Sequence, residues 1–124
     1  MKFMLMMHAP DVLPAEDLQE SMNYLERLCQ ELFDSGELVS TEGLVGPRQA
    51  KKVQARTDGS PEVTDGPFPE TKEFLLGYWI VDCDSPERAY EIAASISKLP
   101  GPDGKAANMP IEVRELANHS SAEF

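Results

Sequence analysis

Two cysteines, two histidines and one tryptophan in 124 residues leave little material for the commonest kinds of site chemistry. Cys29 and Cys83 are far apart and form no Cys-x-x-Cys pair, so a disulfide framework and a structural zinc are both excluded; the reading is two free, buried thiols. His8 and His119 are too widely separated to make a metal pattern. Basic residues are scarce as well: 11 Lys and Arg against 22 Asp and Glu give a formal charge of −11, which repels a phosphate backbone and argues against nucleic-acid binding. Long apolar runs are missing. Phe3 to Met7 is followed at once by His8 and Pro10, too short for a bilayer span or a signal-peptide core, and a cytoplasmic protein is expected. No Gly-x-Ser-x-Gly, P-loop or dinucleotide fingerprint occurs, so no cofactor is expected.

What the chain does contain is the composition of one soluble domain over residues 1–124, with 41% hydrophobic and 27% charged residues. Residues 2–8 read as a first strand. Over 15–35, Leu18, Met22, Leu25, Cys29, Leu32 and Phe33 recur at helical spacing, with Pro14 near the first turn and Gly36 as the stop. Strands follow at 37–44 and 51–56, with a turn at Asp58-Gly59 and a short return at 62–64; the segment 46–73 reads as a hairpin excursion. Residues 74–81 are the most hydrophobic strand. Ser85-Pro86 opens a second helix whose stripe is Ala89, Ile92, Ala93 and Ile96; a last strand runs over 111–116, and 117–124 is read as a flexible tail.

This order predicts an α+β fold: a ferredoxin-like antiparallel sheet with two helices on one face and a hairpin insertion. In the strand 74–81, Phe74, Leu76, Tyr78 and Ile80 should oppose Leu75, Gly77, Trp79 and Val81, yet both sets are apolar; the first strand repeats the pattern. A sheet wet on one side alternates apolar with polar. Two helices cover one face only, so a second copy of the sheet is expected on the other, giving a homodimer with a cavity near the interface.

The candidate site residues each read two ways. His8, at the end of the first strand, suits a general base at a cavity rim, or a strand-end histidine with one backbone hydrogen bond. Glu42, in a strand beside Gly43, can reach into a cavity as a proton acceptor, or sit solvated. Asp65 can orient a catalytic group or accept turn N–H groups; Lys72 can hold an anionic substrate or pair with Glu70 or Glu73. Arg114 can clamp a substrate carboxylate or neutralise Glu42 or Asp65. Tyr78 and Trp79 lie on opposite faces, so at most one of them lines a cavity; Phe68 and Thr71 are assigned to loop packing.

The run Asp65-Gly66-Pro67-Phe68-Pro69-Glu70-Thr71-Lys72-Glu73 resembles the Asp-Gly-Pro-Phe signature of the YCII-related family, with Pro69 where that family usually has Ala. The opening Met-Lys-Phe, Glu42-Gly43-Leu44, Gly77-Tyr78 and Glu112-Val113-Arg114 are similar to the same family, with Glu115 in place of a closing Pro. The resemblance implies a dimeric α/β barrel. It further implies a cofactor-independent lyase or isomerase working by proton transfer on a small anionic molecule, with His8, Glu42 and Asp65 as catalytic candidates and Lys72, Tyr78 and Arg114 as substrate-binding ones. The alternative it implies is a non-catalytic ligand-binding or regulatory module linked to an extracytoplasmic-function sigma factor. A His–Asp dyad at the first helix of some relatives has no counterpart, since the helix 15–35 contains no histidine.

Overall fold

Side-chain burial alternates strictly along the first strand, and that alternation organises the fold. In the computed structural model, which describes residues 1–10, 18–66 and 72–117, β1 (Lys2–Ala9) buries Phe3, Leu5, Met7 and Ala9. Lys2, Met4, Met6 and His8 take the opposite face. The chain continues through α1 (Gln19–Asp34), β2 (Leu38–Gly43), a 3₁₀ turn (Pro47–Gln49), β3 (Lys51–Ala55), β4 (Pro61–Asp65), β5 (Phe74–Asp82), α2 (Pro86–Ser97) and β6 (Ile111–Glu115). Strands pair antiparallel in the order β2-β5-β1-β6, and β3 and β4 form a separate two-stranded sheet. Leaving that hairpin aside, the order of elements and of strands is ferredoxin-like, as the sequence predicts.

One face of the large sheet carries the core. Phe3, Leu5, Met7, Trp79 and Val81 meet Ala89, Ile92, Ala93 and Ile96 of α2 and Leu32 of α1. Ser85 caps α2, its Oγ accepting from the Arg88 N–H at 3.2 Å, with Pro86 at the first helical position. Gly36, at φ +79°, closes α1. Both cysteines are free; Cys83 is buried, which pushes its thiol pKa up, and Cys29 is half-buried. The placing of Pro14 in the first helical turn, the packing of Phe68 and Thr71, and the tail over 118–124 fall outside the described residues.

α1 departs from the expected single stripe. Ser21, Tyr24, Leu28 and Leu32 form the row that seats it: Ser21 Oγ donates to the Pro100 carbonyl and Tyr24 OH to the Ser95 carbonyl, each at 2.6 Å. Met22, Leu25, Cys29 and Phe33 form a second row beside it, and Met22 and Phe33 remain 50% and 69% exposed. The apolar face of this helix is wider than its contact with the core.

A bulge changes the far end of the sheet. Met7 lies opposite Gly77 but His8 lies opposite Leu75, so Leu76 is the inserted residue. Strict alternation would group Leu76 with Tyr78 and Ile80. The bulge instead puts Leu75 beside His8 on the face of Tyr78 and Ile80, because cross-strand partners share a face.

Glu37, just before β2, and Arg88, on α2, tie the two halves together. The guanidinium donates twice, from Nε and from an Nη, to the two carboxylate oxygens at 2.9 Å each. The Arg88 hydrogen bonds hold the Glu37 carboxyl below its ordinary range. A carboxyl lowered in the folded state stabilises above its unfolded pKa, and the stabilisation is lost as pH falls through the folded value. Arg88→Met is therefore expected to cost about 1 kcal/mol at neutral pH, modest because the arginine is partly exposed, and much less in acid. Urea unfolding at neutral pH and in acid measures the difference; an equal loss at both would assign the effect to packing.

Candidate ligand cleft

The face of the sheet away from the helices is an apolar band with charged edges. The register aligns Glu42, Tyr78, Met6 and Glu112 in one row, and Ser40, Ile80, Met4 and Arg114 in the next, with His8 and Leu75 paired beyond them. Met4, Met6, His8, Leu75, Tyr78 and Ile80 are half-buried, since within the described chain no second layer covers them. Four of the six site residues picked out by sequence (His8, Glu42, Tyr78 and Arg114) thus share this face, spread over four strands.

Asp65 and Lys72 belong elsewhere. Asp65 ends β4, and its carboxylate accepts from Lys51 Nζ across the hairpin at 2.6 Å, both side chains well exposed. Lys72 is exposed just before β5. The Gly of the signature has a packing reason of its own: a Cβ on Gly66 would stand 2.9 Å from the Ala50 carbonyl oxygen, to which the Gly66 N–H donates at 2.8 Å. Residues 67–71 of the signature lie outside the description.

The hollow in the chain is on the helix side. A cleft of about 1110 Å³ opens between the second row of α1 and the β2–β5 edge of the sheet. Leu25, Cys29 and Phe33 form one wall, Leu44, Leu76 and Trp79 the other, and Pro100 and Met109 contribute to its lining from the segment after α2. α1 is tied to α2 and to Pro100 through Tyr24 and Ser21, and its other row faces the cleft. The sequence reading places a cavity between two sheets; this cleft lies on the other side of the sheet. Of the six site residues, Glu42 alone borders it, and its register opposite Tyr78 sends the side chain toward the open face.

Trp79 is the residue that sequence reasoning left as core packing. It is 5% exposed, lines the cleft, and its Nε1–H is buried without a hydrogen-bond acceptor among the described residues. A buried unpaired donor costs about 1–3 kcal/mol, and this one is closed off from the solvent-filled cleft that the rest of the ring lines. The available signal was the over-wide apolar face of α1, which has more oily positions than one core contact can use.

Among the described residues no group of three or more His, Cys, Asp or Glu is placed to hold a metal, and no helix is long and apolar enough to cross a membrane. Comparison with known proteins gives a family. Residues 1–111 match the YCII-related domain. A relative from Rhizobium meliloti (strain 1021), an uncharacterised protein, is 32% identical over 109 residues, covering 88% of this chain and 83% of its own.

Proposed function

The chain belongs to the YCII-related domain family, and from that footing we propose that it is a homodimeric binding protein for small apolar molecules. The ligand occupies the helix-side cleft, and a second copy covers the open sheet face. The observation that carries the reading is the cleft itself. It has the size of a small-molecule site and walls of aliphatic and aromatic side chains. A proton-transfer enzyme needs an acid and a base converging on the reacting atom. Among the described residues, the ionisable ones bordering the cleft are Glu26, Cys29 and Glu42, and the register carries the last away. Binding therefore stands ahead of lyase or isomerase chemistry. On the open face, His8, Tyr78 and Arg114 serve the contact between copies, while Asp65 braces the hairpin through Lys51.

Because Trp79 is the only tryptophan and lines the cleft, its emission reports occupancy directly. Titration with N-phenyl-1-naphthylamine, a neutral dye bright in apolar surroundings, is expected to quench Trp79 and to saturate. Cys29→Phe, which adds a ring to the wall, should weaken the dye at least about tenfold, the scale of one lost apolar side-chain contact area. Met6→Lys, on the opposite face of the sheet, should leave dye affinity unchanged. Loss of binding in Met6→Lys alone would move the ligand to the sheet face and sink the proposal.

A further inference from the structure

The cleft has almost nothing to offer a negative charge. Its described lining residues include no lysine, arginine or histidine; the charged ones are Glu26, exposed on α1, and Glu42, turned toward the open face. Its hydroxyls are already committed, and its amide in part: Ser21 donates to the Pro100 carbonyl at 2.6 Å, Thr41 to the Tyr78 carbonyl at 2.9 Å, and the exposed Gln30 amide spends one N–H on Asp34 at 2.9 Å. The Trp79 N–H is sealed from solvent and is not offered to the cleft. Lys72 and Arg114, the cations that sequence reasoning offered to an anionic ligand, do not line the cleft.

An anion entering such a space gives up its hydration and meets neither a counter-charge nor a set of donors to replace it. The field of a chain with net charge −11 adds to the penalty. A neutral molecule faces no such cost. It also needs few polar partners, which suits walls whose one unpaired indole N–H is sealed from solvent. We infer that the cleft selects neutral, largely apolar molecules and rejects anions of the same shape. This rests on the reading of the cleft as the binding site, and the test separates the two.

Two dyes with one frame make the comparison. N-phenyl-1-naphthylamine is neutral, and 8-anilinonaphthalene-1-sulfonate adds a sulfonate to the same rings. The neutral dye is expected to bind at least about tenfold more tightly in the cleft, the low end of the cost of an unpaired buried charge. Glu26→Lys, at an exposed position, should strengthen the sulfonate about three- to tenfold while leaving the neutral dye unchanged. Cleft binding is defined as the part lost in Cys29→Phe, with Leu44→Tyr as a second block on an exposed wall position. Equal affinities for the two dyes, both lost in the blocked variants, would overturn charge selection while leaving the cleft as the site. Binding of both dyes that neither block affects would overturn the site itself.

Discussion

Replacing Met6 by lysine is expected to turn the proposed dimer into a monomer that still folds. Met6 stands in the middle of the open face, with Tyr78 on one side and Glu112 on the other, and Met4, Ile80 and Leu75 around them. A sheet face this apolar has to be buried against something, and within the described chain nothing lies on it. In an isologous contact each substitution appears twice, so two ammonium groups would be buried across the two-fold. Desolvating each ammonium costs several kcal/mol, only partly offset by the Glu112 carboxylate on the neighbouring strand, so the dimer should weaken at least about 100-fold. Folding should survive, because the core is on the other face, where Leu5 and Val81 are fully buried. Sedimentation velocity at micromolar concentration reads the result. A wild-type protein that sediments as a monomer, or a Met6→Lys variant that stays dimeric, would remove the second copy from the open face.

Gly77→Ala is expected to cost about 2–3 kcal/mol, while Gly43→Ala, at the position paired with it, should cost little. The two glycines face each other between β2 and β5, yet their surroundings differ. A Cβ on Gly77 would stand 2.9 Å from the Glu42 carbonyl oxygen and 3.4 Å from the Gly43 Cα, both backbone atoms that cannot rotate away. A Cβ on Gly43 would meet nothing within 4 Å. To admit the added methyl at Gly77 the edge strand must move off β5, and that strand is also one border of the cleft. Gly77→Ala should therefore lose dye binding along with stability, whereas Gly43→Ala keeps both. Chemical unfolding of the two variants tests this; equal costs would mean that β2 yields freely.

Much of the fold was legible because it depends on local rules. Ser85-Pro86 announces a helix start, Gly36 a stop and Asp58-Gly59 a turn, and each is where the structure has it, with Gly59 at φ +87° and Asp58 accepting from the Ser60 N–H. The two apolar faces of β1 and β5 could likewise be read from alternation alone. The bulge at Met7/His8 could not, because a one-residue insertion in a ladder leaves no mark in a run as uniform as Phe74-Leu75-Leu76. Nor could the cleft. One of its walls belongs to α1, which Ser21 and Tyr24 tie to partners more than 70 residues away. The signature was legible as a pattern but not as a cause. Gly66 is required by close backbone approach rather than by a left-handed φ, and Asp65 pairs with Lys51 across the hairpin, while the turn that follows it lies outside the described residues.

The measurement closest to the central claim follows the indole N–H of Trp79 in a ¹H–¹⁵N correlation spectrum. The chain has one tryptophan, so the signal is unique. Titration with 2-acetylnaphthalene, a neutral apolar ketone, should shift it as the ligand's rings come against the indole in the cleft wall, together with the amides of Cys29, Leu44 and Leu76. An unmoved indole with shifts confined to Met4, Met6 and Ile80 would place the ligand on the open sheet face and contradict the account.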